Sequence, residues 1–308
     1  MTDGKWWQRA WSLVDGCSPV SLGCEHCWLR AGYRRWNVAP NTVVFRTDRL
    51  ELPLTVKKPT VWAIWSDLFH ERVHMANIQR AFEVMELARQ HTFVVLTKRH
   101  ARMLDFTQQI QYAHEGGVRA FGRWPLPNVC LAVTVENAEA AWQRIPALLS
   151  SPAAVRLISA EPLLGPLTLW RWLKPPLMPD RVIRPGSPPP EYIPVVGLDG
   201  VIAGAETGPG ARPVHPAWVR GLRDECLAAE TPFWFKSWGE WAPGDTLPHM
   251  KTTELLGKRS HTWQDKEISY RVGHKNAGRF LDGRTWDEMP RLRTYRKTTS
   301  LLPTDNLD

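Results

Sequence analysis

Six short apolar or β-branched runs recur along the first 241 residues, and segments with helical periodicity lie between them. Continuous apolar runs that alternate with helices are typical of buried parallel strands joined in βαβ units. Six such units predict an α/β protein, a parallel (βα)6-type partial TIM barrel, rather than an open three-layer sheet. The predicted strands cover residues 60–65, 93–97, 129–135, 155–159, 201–205 and 233–235, and the predicted helices cover 76–90, 99–111, 138–149 and 216–229.

Two segments interrupt this alternation. Residues 174–197 contain eight prolines, which predicts an extended, semi-rigid insertion on the surface. After Trp241 the alternation of strands and helices stops. We therefore expect a barrel at residues 1–241 that carries the Pro-rich insertion, and a small basic C-terminal extension with a disordered tail at residues 242–308.

The net charge of +8 is concentrated near the C-terminus, where residues 251–297 carry twelve Lys or Arg against six Asp or Glu. A basic face fits a polyanionic partner, so DNA, RNA or a nucleotide is a candidate substrate, although an ordinary solvated surface has the same composition. The chain has seventeen Trp, and we expect Trp238 and Trp241 to be exposed beside this face, with packing in a core as the alternative. Candidates for phosphate contacts are Lys258, Arg259, Lys275, Arg279, Arg284, Arg291, Arg293, Arg296 and Lys297.

Three of the five cysteines, Cys17, Cys24 and Cys27, lie within eleven residues. No apolar stretch approaches the roughly 20 residues of a membrane span, and no secretory signal is present, so we expect a cytoplasmic protein with reduced thiols and no membrane partner. Three thiolates can hold a [4Fe–4S] cluster with one open iron. They can also hold zinc, with His26 or a distant residue as fourth ligand, or remain unliganded.

Polar side chains follow each predicted strand at the point where it ends. In a parallel barrel these ends meet at one mouth, where active sites are built. For any one of these residues a helix cap or a loop charge is the simpler explanation, but six strands share the pattern. Gly204 stands near one of the acids in a glycine-rich turn that can admit a ribose closely. The polar residues are Asp67, Lys98, Glu136, Asn137, Glu161, Glu206 and Lys236.

The chain resembles the phage Gp37/Gp68-like protein family (DUF5131), which has no settled biochemistry. The resemblance covers nearly the whole sequence. It is carried by residues 16–17, 23–27, 66–70, 91–93, 96–99, 135–137, 161–166, 204–213, 235–241 and 278–290.

More distantly, the chain is similar to radical S-adenosylmethionine (SAM) enzymes, in which a cysteine triad precedes a (βα)6-type partial barrel. This resemblance implies a [4Fe–4S] cluster on the three clustered cysteines, with SAM on the open iron. Three features depart from that superfamily. The triad spacing is Cys-x6-Cys-x2-Cys, Trp65-Ser66-Asp67 stands in place of Gly-Gly-Glu, and residues 200–206 match the superfamily's Gly-x-Ile-x-Gly-x-x-Glu pattern only in part, because Glu206 falls one residue early. The implied SAM contacts are Asp67, Glu136, Asn137, Gly204 and Glu206, and the implied catalytic candidates are Lys98, Glu161 and Lys236.

Two functions of different classes follow. The first is an iron–sulfur enzyme that modifies a nucleic acid or nucleotide through a 5′-deoxyadenosyl radical, with an electron donor such as flavodoxin or ferredoxin. The second is a zinc-stapled nucleic-acid-binding protein without catalysis. The series of polar strand ends favours the enzyme, because a simple binding protein does not need it.

Overall fold

Seven parallel strands form one sheet in the computed structural model, which describes residues 4–35, 39, 42–173, 197–247 and 250–290. Along the described residues the strands are β1 (Arg9–Trp11), β2 (Val14–Asp15), β3 (Val44–Phe45), β4 (Val61–Ile64), β5 (Thr92–Thr97), β6 (Val129–Thr134), β7 (Val155–Ala160), β8 (Gly200–Ala203), β9 (Phe233–Phe235), β10 (Trp241–Pro243), β11 (Ser260–Thr262) and β12 (Ile268–Arg271). The large sheet has the order β1-β4-β5-β6-β7-β8-β9, and all of its neighbouring pairs are parallel.

Helices connect most of these strands. They are α1 (Trp28–Arg35), α2 (Met75–Leu87), α3 (His100–Glu115), α4 (Ala138–Ser150), α5 (Pro216–Ala228), α6 (Thr252–Leu256) and α7 (His274–Ala277). Local signals fix where two of them begin. The side chain of Asn137 accepts a hydrogen bond from the Ala140 amide at 2.9 Å, and Pro216 occupies the first turn of α5.

The two faces of the large sheet are packed differently. One face joins the helices in the main hydrophobic core. The other face carries a smaller apolar cluster that contains no helix residue, and its members recur at every second position of the strands. This cluster consists of Trp6, Ala63, Val94, Cys130, Ala132, Val155, Leu157, Ile202 and Trp234.

The large sheet is curled, because residues at its two edges touch. Seven flat strands at about 4.8 Å spacing would place the edges roughly 29 Å apart. Instead, the indole N–H of Trp234 in β9 donates to the carbonyl of Gly4, which precedes β1, at 3.1 Å. Lys236, after β9, lies over the ring of Trp7 at 5.2 Å from its centroid. The sheet therefore closes into about half a barrel, which is consistent with a partial TIM-barrel-like fold.

The C-terminal residues return to the large sheet. They form an antiparallel sheet of order β10-β12-β11, and the chain then runs along the edge of β9. The Phe235 amide donates to the Trp286 carbonyl at 3.0 Å, and the Glu288 amide donates to the Phe233 carbonyl at 3.2 Å. This segment covers an edge that would otherwise be open to pairing with other chains.

The alternation of parallel strands and helices is confirmed, with element ends displaced by a few residues. The sequence did not predict β1, α1 or the small antiparallel sheet. The expected exposure of Trp238 and Trp241 is wrong, because both are buried and donate their indole N–H groups to main-chain carbonyls. The Pro-rich insertion lies outside the described residues except for Gly197, and so do residues 291–308.

None of the helices in the described part of the chain is long and apolar enough to cross a membrane.

Candidate functional site

A cavity of about 240 Å³ opens at the carboxyl ends of the strands. The cysteine loop, which we define as residues 17–27, forms one wall. The remaining lining comes from the ends of strands β4 to β9, from the first turn of α1, and from Trp6 and Trp7, which precede β1. Eight of the residues predicted from sequence line this cavity together: Cys17, Cys24, Cys27, Asp67, Lys98, Glu161, Glu206 and Lys236. Glu136, Asn137 and Gly204 do not line it.

The alternation of side chains along the strands explains this convergence. Leu157 in β7 belongs to the smaller apolar cluster described above. Ser159, two residues later on the same face, lines the cavity, and Glu161 follows two residues after that, just beyond the strand. Because alternate residues of a strand share a face, an acid at this spacing points to the interior of the half-barrel. Lys236 follows Trp234 at the same spacing after β9.

Arg99, buried beside the cavity, holds the start of the cysteine loop. Its guanidinium donates to Asp67 Oδ2 at 3.0 Å and to both Glu71 oxygens at 2.8 Å. It also donates to Ser18 Oγ at 2.9 Å and lies 3.9 Å from the Sγ of Cys17. Arg99 therefore places a positive charge next to the thiol of Cys17.

Asp67 has its acceptor sites occupied. Oδ1 accepts from Thr97 Oγ1 at 2.6 Å and from the Phe69 amide at 3.1 Å, and Oδ2 accepts from the Lys98 amide and from Arg99. Its role in this geometry is to fix the turn after β5 and to orient the guanidinium.

Glu136 holds the middle of the loop from behind the cavity wall, where only 1% of its surface is exposed. Oε1 accepts from Ser21 Oγ at 2.5 Å and from Lys98 Nζ at 2.8 Å, while Oε2 accepts from Arg144 at 2.8 Å. Lys98 Nζ also lies 3.6 Å from the Sγ of Cys24. Burial raises the pKa of Glu136, but Lys98 and Arg144 outweigh it and leave that pKa below its ordinary value.

Arg212 connects the end of the loop to the glycine-rich turn after β8. It donates to both oxygens of Glu206, at 2.5 and 3.0 Å, and its own amide donates there at 2.9 Å. The same guanidinium reaches Glu25 at 3.0 Å and the Leu22 carbonyl at 2.9 Å. Glu206 thus supports the cysteine loop through Arg212.

The thiols of Cys17 and Cys24 lie in different electrostatic environments. Burial raises the pKa of the Cys17 thiol, and the nearby Arg99 offsets this only in part. Burial also raises the pKa of the Cys24 thiol, but Lys98 and hydrogen bonds from the loop backbone outweigh it, so that pKa is lowered overall. Of these two cysteines, Cys24 is therefore the one whose surroundings favour the thiolate form.

Lys236 and Glu161 form an ion pair on the side of the cavity that we call the far wall. Lys236 Nζ pairs with Glu161 Oε1, and both side chains keep about a fifth of their surface accessible, 21% and 18%. Gly204 separates their stems: a Cβ added there would lie 3.4 Å from each side chain. Because Gly204 has no side chain, Glu161 and Lys236 can approach each other.

Asn137, which does not line the cavity, caps the N-terminus of α4.

The donor set fits a metal–thiolate group, since three cysteines border one cavity beside two cations that stabilise thiolates. Within the described residues, however, no three or more His, Cys, Asp or Glu side chains lie close enough together to hold a single metal ion. The three cysteines border the cavity, but in this structure their side chains are not close enough together to coordinate one metal ion.

Sequence reasoning picked out Arg99, beside Lys98 at a predicted strand end, and Glu136 after the next strand, but did not predict that they hold the loop. It missed Arg144 and Arg212. Arg144 lies within a helix and Arg212 follows the glycine-rich turn, so neither stands at a strand end.

No curated protein and no solved structure matches the chain. A family model does match it over residues 1–290, and its description is "Protein of unknown function (DUF5131)". Because that match covers far more than half of the sequence, the chain belongs to the DUF5131 family.

Proposed function

We propose that this protein is a radical SAM-type iron–sulfur enzyme with a (βα)6-type partial TIM barrel, acting on a nucleic acid or nucleotide. The observation that carries the proposal is that one cavity is lined both by Cys17, Cys24 and Cys27 and by the charged ends of the parallel strands. A zinc staple needs the cysteines and one further ligand such as His26, but no space for a second molecule. A reactive cluster needs them at a site where a second molecule can be bound, as this cavity allows.

In this proposal the three cysteines hold a [4Fe–4S] cluster, and SAM is the second cofactor. When bound, such a cluster would supply one electron, received from a donor such as flavodoxin or ferredoxin, for cleavage of SAM to methionine and a 5′-deoxyadenosyl radical. The protein binds and orients the reactants and excludes water around them.

Charged residues of the chain fit these tasks. Lys98 and Arg99 place positive charge beside the thiolates and so stabilise their deprotonated form. Glu136 holds Lys98 in place, and Asp67 holds Arg99. Lys98 also lines the cavity, with its Nζ 3.6 Å from the Sγ of Cys24, and is the proposed contact for the carboxylate of SAM.

The remaining candidates divide between the two ends of the cavity. Glu206, fixed by Arg212, lies beside the glycine-rich turn and is the proposed contact for the ribose of SAM. Lys236 and Glu161, on the far wall, are the proposed residues that act on the substrate.

Anaerobic reconstitution with iron and sulfide tests the proposal. We expect about four irons and four sulfides per chain, a brown colour, and SAM binding by calorimetry. Changing Cys17, Cys24 or Cys27 to Ala removes most of the iron. The matched control is Cys130→Ala, because Cys130 is fully buried in β6 and does not line the cavity. If the protein instead binds stoichiometric zinc and takes up no iron, the enzyme proposal is wrong, and the zinc-stapled nucleic-acid-binding protein becomes the better hypothesis.

A further inference from the structure

Four tryptophans line the cavity and are not used by the roles assigned above. They are Trp6, Trp7, Trp28 and Trp65. Trp28 directly follows Cys27 and opens α1, so whatever contacts its ring lies next to the cysteines. Its ring meets that of Trp65 edge to face, with centroids 4.8 Å apart and an interplanar angle of 76°.

The Trp28 side chain is 45% exposed although it lines a concave site. An indole face left in water at the mouth of a cavity gains free energy when a flat apolar surface covers it. The edge-to-face contact with Trp65 restricts rotation of the ring, and the exposed part of the indole remains available for stacking.

The far wall offers polar groups that suit the edge of a flat ring. Among the described residues, Glu161 Oε2 has no hydrogen-bond partner, and Lys236 Nζ donates only to Glu161 Oε1. An acceptor and a donor therefore stand side by side. Lys236 also lies over the Trp7 ring, 5.2 Å from its centroid, which fixes its position.

We infer that this cavity binds a single nucleobase, stacked on Trp28 and contacted along its edge by Glu161 and Lys236. Every base has a π-face that stacks on an aromatic side chain, and every base edge carries adjacent donors and acceptors. A lipid chain or an aliphatic side chain would cover the indole but would offer no hydrogen-bonding group to Glu161 Oε2 or to Lys236. The inference rests on the proposed function for the chemistry that follows binding, and it names the part of the substrate that is recognised.

Two of the candidate phosphate contacts in the described part of the basic C-terminal region make contacts within the fold. Arg279 donates to the carbonyls of Phe235 and Trp286, at 3.0 and 3.1 Å. Arg284 stacks on the Trp286 ring at 3.5 Å from its centroid. These two guanidinium groups hold the C-terminal segment against β9, so they are occupied within the fold.

Saturation-transfer NMR and calorimetry with AMP, GMP, CMP and UMP test the inference on the full-length chain purified anaerobically. At least one nucleotide binds, with transfer to its base protons. Trp28→Ala weakens binding about tenfold or more, Trp28→Phe restores most of it, and Glu161→Gln changes which base is preferred. Trp142→Ala is the matched control, because Trp142 is 56% exposed on α4 and does not line the cavity.

Two further measurements separate this inference from the proposed function. The iron content of the same samples is measured. If the protein binds no iron but still binds nucleotides in a way that depends on Trp28, the inference is supported and the proposed iron–sulfur enzyme is contradicted. A full iron complement with no nucleotide binding, or with binding indifferent to Trp28→Ala, overturns the inference alone. The titration is repeated with saturating S-adenosylhomocysteine. If that compound displaces the nucleotide, the Trp28 platform belongs to the SAM adenine and the inference is wrong.

Discussion

Gly23, within the cysteine loop, shows at the scale of one residue how tightly that loop is seated. An added Cβ at this position would lie 2.7 Å from Cγ and Oε1 of Glu136 and 3.0 Å from Lys98 Nζ. Lys98 could move, since its side chain is long. Glu136 cannot, because hydrogen bonds from Ser21, Lys98 and Arg144 hold it. A glycine is required here by lack of space, not by backbone conformation.

We therefore expect Gly23→Ala to lower the free energy of unfolding by about 1–3 kcal/mol, because the new methyl group displaces a buried ion pair. Urea unfolding measures this. The control is Gly221→Ala: nothing lies within 4 Å of its added Cβ, and it occupies the interior of α5, so that change should stabilise by up to about 1 kcal/mol. Equal stabilities of the two variants would show that the loop is not seated as described.

At the scale of elements, Glu136 ties three of them together. It follows β6, it accepts from Arg144 on α4, and it accepts from Ser21 in the cysteine loop. Its lowered pKa means that the ionised form of Glu136 is more stable in the folded protein than in the unfolded chain. This contribution to stability is fully present above the ordinary glutamate pKa and is lost as the pH falls through the folded value.

The wild type should thus lose stability as the pH falls below about 4.3, and part of that loss belongs to Glu136. In Glu136→Gln we expect lower stability at neutral pH, by about 1–3 kcal/mol, together with a shallower decline in acid. Urea unfolding at a series of pH values measures both slopes. Glu267→Gln, at an exposed carboxylate, should retain the wild-type profile. Parallel pH profiles of wild type and Glu136→Gln would refute this coupling.

At the scale of the whole molecule, the sequence predicts the strands and helices because buried parallel strands must be continuously apolar and helices must repeat every 3.6 residues. Polar residues such as Glu161 could be placed at the mouth, since the end of a strand is visible in the pattern. The pairing of Glu206 with Arg212 could not be predicted. Two side chains meet there because the loop folds back, and no periodicity records it.

β1 and α1 were missed for related reasons. β1 spans only Arg9–Trp11 and begins with a charged residue, so it does not read as a buried run. Its parallel pairing with β4 supplies what its own sequence lacks. α1 begins immediately after the last cysteine, where the motif draws attention to metal binding rather than to helix formation.

The C-terminal region supplies the last prediction, because it completes the half-barrel. Main-chain bonds from Phe235 and Glu288 join residues 286–288 to β9, and Trp286 is buried in the main core. Arg271 also donates to the carbonyls of Gly208 and Pro209, at 3.1 and 2.7 Å, so the antiparallel sheet supports the glycine-rich turn beside the cavity.

A chain ending at residue 241 exposes the edge of β9 and the rings that the C-terminal region covers. We expect it to aggregate or to unfold at a temperature well below that of the full chain, since a bare apolar strand edge pairs with other chains. A chain ending at residue 290 is the matched control. It keeps all of the contacts above and the full span of the family match, so its unfolding temperature should equal that of the full chain. Calorimetry with size-exclusion chromatography distinguishes the two. A soluble, monomeric 1–241 chain with an unchanged transition would show that the barrel and the C-terminal extension are independent domains.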